Sequence, residues 1–333
     1  MRMQIITIFG ATGNQGSSVA RSLLRNPSFE VRCITRNAES KKAQLLKAQG
    51  AVIVEADGYD TSQIQQAFSG SWGAFVNTNG DDPSLASENR TDRDLGLSII
   101  RGAAAAGVKH LVYSSGPWAA KLSGGTCSVP SNDAKAEVQH VAQGLGFETV
   151  TPIMPGWFFE TFLEPQMAAI FGGFPVTPDE EGWLTCRAPL WGGQEHVPFL
   201  SVDNDFGDIV HGVFLNPVRW NLRPIQAISD FLSFADLVNT YVSLTGKKAR
   251  FVALSSPMEL ETMGHPLLES IRGFFIFSQL RDGEYFGTGP TEKETATALK
   301  QAAYRAQAND RKGEQAALTS ARDFLQARFG NSK

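Results

Sequence analysis

Gln4-Ile-Ile-Thr-Ile-Phe9, Gly10-Ala-Thr-Gly13-Asn-Gln-Gly16, Ser17 to Leu24 and Glu30-Val-Arg-Cys-Ile-Thr-Arg36 together outline a βαβ unit. The first run is rich in β-branched and aromatic residues, which suits a buried strand. Val19, Leu23 and Leu24 follow at helical spacing, and Val31 to Thr35 reads as a second strand. Each glycine has a physical task. Gly10 lets the chain turn sharply out of the strand, and Gly13 lets backbone approach a pyrophosphate. Gly16 removes a side chain where helix and strand pack closely. The free N–H groups of the first helical turn, with the helix dipole, favour negative phosphates. The whole turn, including Thr12, Asn14 and Gln15, is therefore expected to hold a dinucleotide.

The end of the second strand selects which one. NAD binders place Asp or Glu there to accept from the ribose 2′-hydroxyl. Here the residues are Ile34, Thr35, Arg36 and Asn37, and the first carboxylate is Glu39. An acid would repel a 2′-phosphate, whereas the Arg36 guanidinium binds one through a charge-assisted fork. NADP(H) is expected over NAD(H).

The 333 residues are 42% hydrophobic and 19% charged, with a net charge of −4. That is an ordinary composition for a chain able to bury a large core. Basic residues are scattered in short patches, so no nucleic-acid footprint is expected. Cys33, Cys127 and Cys186 are far apart and show neither metal spacing nor a disulfide framework. No apolar run is long enough to cross a membrane, and the first strand starts without a leader. A cytoplasmic protein without metal is expected, with nuclear entry left open.

A helix over 39–49 ends at Gly50, and Ala51 to Glu55 is a third strand. Asp57 either receives the adenine amino group or caps the helix from Thr61. Trp72 to Thr78 is a fourth strand. Its end, with Asn77 and Thr78, should lie beside the cofactor, because α/β ligands bind beyond the carboxyl ends of strands. A long helix over 84–106, a fifth strand from Lys109 to Ser115 and a Gly/Pro/Ser-rich rim over 116–130 follow. Asn132 or Asp133 then starts a helix carrying Lys135, and Glu148 to Ile153 is a sixth strand. The expected fold is α/β: a Rossmann-type doubly wound parallel sheet over 1–156 and a smaller α/β substrate-binding region over 157–333. In the second region Trp183 to Trp191 reads as a strand of a hairpin, and Val202 to Phe214 as a helix capped by Asp203 or Asn204. Ile225 to Ser229 is a strand, and Ser233 opens a helix to Leu244 with Asp236 completing a capping box. Arg250 to Leu254 is a strand, and residues 291–328 form helices with a break near 309–313.

Gly10-Ala-Thr-Gly13-Asn-Gln-Gly16, Thr35-Arg36-Asn37, Phe75-Val-Asn-Thr78, Val112-Tyr-Ser-Ser115 and Pro155-Gly156-Trp-Phe-Phe159 resemble the NmrA-like family. Its members are atypical (extended-type) short-chain dehydrogenase/reductase relatives, and the similarity covers residues 1 to about 255. The resemblance implies an NADP(H)-binding Rossmann domain, a smaller C-terminal domain and a cleft between them. Pro155 and Gly156 thereby join Asn77 and Thr78 as cofactor-binding candidates. Some family members are redox-sensing regulators that bind dinucleotide and protein partners without turnover. Others are reductases, several of them tailoring small molecules in fungal secondary metabolism.

Short-chain reductases use Tyr-x-x-x-Lys on the helix after strand five. The tyrosine gives a proton to the carbonyl oxygen while the lysine lowers its pKa and holds the nicotinamide ribose. The spacing puts both side chains on one helical face. Here Lys135 holds the lysine position, but Ser131 stands where the phenol would be. Lys135 is either a ribose anchor or itself the proton carrier, as the resemblance to isoflavone-reductase-like relatives suggests. Ser115 either hydrogen-bonds a substrate carbonyl or simply ends a strand. Trp118, Trp157, Phe158 and Phe159 either line an aromatic pocket or belong to the core. The expected activity is NADPH-dependent reduction of a carbonyl, imine or activated double bond on a hydrophobic small molecule. A non-catalytic NADP(H) sensor acting through a regulatory protein partner is the alternative.

Overall fold

The computed structural model describes residues 3–80, 90–307 and 316–330. Six strands alternate with helices in the first half: β1 Gln4–Phe9, β2 Phe29–Thr35, β3 Val52–Glu55, β4 Gly73–Val76, β5 His110–Ser114 and β6 Thr149–Pro155. They form a parallel sheet, and a seventh strand, β10 (Ile225–Ala227), joins its edge in the order β10-β6-β5-β4-β1-β2-β3. The strand order therefore reverses between β1 and β4. This is the doubly wound Rossmann topology, with its crevice beyond the carboxyl ends of those two strands.

Side chains alternate between the faces of these strands, so each face needs its own helices. On one face Ile6, Ile8, Phe75 and Val112 pack with Val19 and Leu23 of α1 (Asn14–Leu24). On the other, Ala74, Val76, Leu111 and Tyr113 pack under α3 (Thr61–Phe68), α4 (Asp92–Ala105) and α5 (Pro130–Ala142). Helix α2 (Lys41–Ala48) lies near β3.

Chain beyond residue 156 returns to this half. Helix α6 (Gly207–Leu215) packs against α1, and Ile209, Val210 and Val213 enter the same core. The expected division at 156 therefore does not coincide with a division of the sheet. Most of the rest forms a second, aromatic core. It holds a three-stranded sheet of β7 (Trp157–Phe158), β9 (Val197–Leu200) and β11 (Asp230–Leu232). Strands β8 (Leu184–Pro189) and β12 (Ala249–Leu254) form a second pair there. Helices α7 (Phe234–Thr245), α8 (Pro266–Leu280) and α10 (Ala321–Phe329) contribute to this core, whereas α9 (Glu294–Ala306) packs on α6 and places Ala296 and Leu299 in the first core.

Several local expectations need correction. β8 is not half of a hairpin; it pairs in parallel with β12, from Leu184 opposite Ala249 to Pro189 opposite Leu254. Alternation identifies a strand but carries no information about its partner. The helix expected from Val202 begins as a π-type turn over Val202–Phe206, with Ser201 at its N-cap. Asp203 is held elsewhere, ion-paired with Arg21 at 3.1 Å. The helix from Thr61 is capped by Asp60, which accepts from the Ser62 and Gln63 amides; the Asp57 carboxylate accepts from Tyr59 instead. Helix α5 starts two or three residues earlier than expected, at Pro130, where a missing N–H matters least. Ser233 caps α7 by accepting from the Asp236 amide. The beginning of the expected helix over 84–106 and the expected break near 309–313 fall largely outside the described residues.

Candidate functional site

A cavity of about 470 Å³ opens at the reversal of strand order and extends into the second half of the chain. Its floor is the glycine turn. Gly10 has φ +78°, and a Cβ there would stand 2.4 Å from the Asn77 carbonyl oxygen. A Cβ on Gly16 would stand 2.2 Å from the Gly10 carbonyl oxygen, so the close approach is to the turn itself rather than to a strand side chain. Gly13 is the N-cap of α1 and no side chain caps that end. The first-turn N–H groups are thus left for an anion. Ser114 Oγ donates to Gln15 Oε1 at 2.7 Å, tying the end of β5 to the turn. Asn77 Oδ1 is buried and has no hydrogen-bond partner among the described residues. A cradle that any Cβ would fill, an uncapped helix start and an orphaned buried oxygen together fit a dinucleotide.

Gly13, Asn14, Gln15, Asn77, Thr78, Ser114, Ser115, Ser131, Lys135, Pro155, Gly156, Trp157 and Phe158 all line this one cavity. Most of the expected site is thereby brought together. Arg36 and Asp57 follow the carboxyl ends of β2 and β3 and stand outside the cavity wall, as does Thr12.

Three hydroxyl and amino groups are placed more specifically than their sequence positions revealed. Lys135 Nζ donates to the Thr78 carbonyl at 2.7 Å and to the Thr78 hydroxyl at 2.8 Å, and Asp92 Oδ2 lies 3.4 Å away. Two of its donors are thereby engaged within the protein, and the Asp92 side chain, 7% exposed, is an ion-pair partner that the sequence did not reveal. Ser115 Oγ donates to Gln139 Oε1 at 2.6 Å, so it offers lone pairs to the cavity rather than a proton. Ser131 Oγ donates to Ser270 Oγ at 3.2 Å, across to α8.

The far wall is aromatic and apolar: Trp157, Phe158, Met167, Trp191, Leu267, Ile271, Phe274 and Tyr285. Two of the four expected pocket aromatics belong elsewhere. Phe159 is 1% exposed and stacks between Phe199 and Phe324, with ring centroids 4.8 and 5.0 Å away. Trp118 lies beside His140 with the Lys121 amino group over its ring, and Cys127 is buried with its Sγ 3.7 Å from the Gly273 carbonyl. Trp157 and Phe158 of β7 both line the cavity, whereas Phe159 opens the 3-10 turn Phe159–Leu163, and there its ring turns into the core. Trp191 and the α8 residues were missed. The signal was present for α8, because Leu267, Ile271 and Phe274 recur at helical spacing on one face.

Burial pushes the Tyr113 phenol strongly upward, and its ring is part of the sheet core. Tyr285 is likewise pushed up by burial, to about 12, with the Asn132 hydrogen bond acting in the opposite direction. Among the described residues no group of side chains could hold a metal ion, and no helix is long and apolar enough to cross a membrane.

The model of the NmrA-like family matches residues 2–307. The NmrA-like family domain-containing oxidoreductase himF of Aspergillus japonicus is 98% identical over 331 residues, spanning 99% of this chain and 100% of that protein. The NmrA-like family domain-containing oxidoreductase lnaB of Aspergillus flavus is 48% identical over 331 residues, 98% of each chain. Among solved structures, NmrA, a negative transcriptional regulator, in complex with NADP superposes with a TM-score of 0.71 at 19% identity, over 100% of this chain and 98% of that one. The NADPH-dependent quinone oxidoreductase QOR2 of Escherichia coli, complexed with NADPH, gives 0.68 at 20% identity, over 97% and 99%. At such identities these two structures establish likeness of fold alone.

Proposed function

The chain belongs to the NmrA-like family, and from that premise we propose that it is an NADPH-dependent reductase of a carbonyl, imine or activated double bond on a hydrophobic, largely aromatic small molecule. The observation that carries this reading is the continuity of one cavity from the glycine turn, past Lys135, to the Trp157–Trp191–Phe274 wall. Backbone N–H groups of residues 13–16 would take the diphosphate, and Arg36 the 2′-phosphate. Asn77, Thr78, Pro155 and Gly156 would surround the nicotinamide, with Lys135 beside its ribose. Bound NADPH supplies the hydride; the protein supplies orientation, dryness and charge. Lys135 acts here by fixing Thr78 at the end of β4, which sets the cavity's width on the nicotinamide side. The aromatic wall excludes water and holds a planar acceptor by face and edge contacts.

Loss of dihydronicotinamide absorbance over a panel of aromatic ketones, quinones and cyclic imines tests the proposal. Turnover is expected with hydrophobic aromatic acceptors and not with small polar aldehydes. One observation favours a second reading: Ser131, at the usual place of the phenolic acid, is tied to Ser270. A non-catalytic NADP(H) sensor working through a regulatory partner needs no acid. Absence of turnover on the whole panel, with oxidised and reduced cofactor bound equally, would favour that sensor.

A further inference from the structure

The first turn of α5 makes two contacts to the stretch that follows β12, one residue apart. Ser131 reaches Ser270, and Asn132 Nδ2 donates to the Tyr285 hydroxyl oxygen at 3.1 Å. Among the described residues Tyr285 is the only tyrosine that lines the cavity. Its ring is clamped by Trp191, Phe274 and Phe286, with centroids 5.5, 5.9 and 5.1 Å away. The phenolic oxygen accepts from Asn132, and the hydroxyl has no acceptor among the described residues. A phenol from the C-terminal stretch thus reaches the helix turn on which Ser131 stands.

Resting on the reductase reading above, we propose that Tyr285 is the proton donor of the reduction, replacing the phenol absent at position 131. As hydride arrives at the acceptor carbon, the carbon–oxygen π pair moves to oxygen. The Tyr285 O–H bond breaks, and its proton forms the new O–H bond of the product. The phenolate left behind accepts the Asn132 N–H until solvent returns a proton. With its phenol raised by burial, Tyr285 is protonated at rest, yet it is a stronger acid than the aliphatic alcohol being formed. Asn132 is its positioning residue.

The test uses carbonyl-labelled acetophenone bound to the NADP⁺-loaded protein, a pairing that cannot react. Difference infrared spectroscopy is expected to show the ketone band at lower frequency in the wild type. The same band is expected in Tyr241→Phe, which removes a buried hydroxyl of the second core. In Tyr285→Phe the band should return to its position in an apolar solvent, with ketone affinity weaker by about tenfold. Turnover on a reducible acceptor should fall by about a hundredfold in Tyr285→Phe, with NADPH affinity unchanged. A band that does not move on Tyr285→Phe, or no bound ketone in the wild type, overturns the proposal. Unchanged turnover in Tyr285→Phe also overturns the proposal, and leaves the reductase reading standing. Absence of NADPH oxidation by the wild type with every acceptor removes the reductase reading and the step with it.

Discussion

Lys135 and Thr78 form a double contact: one amino group donates to both the carbonyl and the hydroxyl oxygen of the same residue, at 2.7 and 2.8 Å. The pair joins α5 to the end of β4, and Asp92 closes it from behind, with 14% and 7% of the Lys135 and Asp92 side chains exposed. Removing one member of a buried ion pair strands the other. Lys135→Ala is therefore expected to lower unfolding free energy by about 3 kcal/mol, measured by denaturant titration. Asp92→Asn in the same chain should recover part of the loss. A Lys135→Ala protein as stable as the wild type would show that the contact is not formed in solution.

The glycine turn should be intolerant of a single methyl group. Gly10→Ala puts an L-residue at φ +78° and a Cβ 2.4 Å from the Asn77 carbonyl. The left-handed conformation alone costs about 1–2 kcal/mol, and the clash moves the end of β4 against which the nicotinamide would lie. Dinucleotide affinity, read by calorimetry, is expected to fall by more than about tenfold, equivalent to about 1.4 kcal/mol.

His211 sets an acid limit on stability. It is fully buried, its ring nitrogens within hydrogen-bond distance of Ser22 and Asn26, and burial lowers its pKa from 6.5 to about 4. Above the unfolded value both states are neutral and the group is silent. As pH falls, the unfolded chain takes up the proton first, so stability is lost progressively between about pH 6.5 and pH 4. The full effect is on the order of 3 kcal/mol. Denaturant midpoints followed across that window should fall more steeply in the wild type than in His211→Asn. Parallel slopes would show that the imidazole is not held neutral.

Phe159 and Trp157 should separate stability from specificity. Phe159 sits in the stacked core, so Phe159→Ala is expected to cost about 3–5 kcal/mol. Trp157 lines the cavity and also packs on Phe171 and Phe234, so Trp157→Phe should change KM for bulky acceptors at a smaller loss of stability than Phe159→Ala. Equal effects of both substitutions on KM would place Phe159 in the pocket after all.

The sheet was legible because its information is local. Gln4 to Arg36 carries strand, turn, helix and strand in one continuous run, and Gly10 needs the left-handed φ that its residue type permits. The cavity wall was not legible to the same degree. Trp157 and Phe158 were within reach, but Trp191, Phe274 and Tyr285 reach the cavity shared with Lys135 from the second core, far along the chain. Nothing in Ser131 announces that Ser270 receives its hydroxyl, or in Asn132 that Tyr285 is its partner; each contact spans more than a hundred residues. The parallel pairing of β8 with β12 was hidden for the same reason.

The proposed dinucleotide site is expected to prefer the 2′-phosphate through Arg36. Calorimetric titration with NADPH and NADH, on the wild type and Arg36→Ala, decides the matter. NADPH is expected to bind at least about tenfold more tightly than NADH, an energy of about 1.4 kcal/mol, and Arg36→Ala should bring the two together. No heat with either dinucleotide, or equal affinities in the wild type, would contradict it.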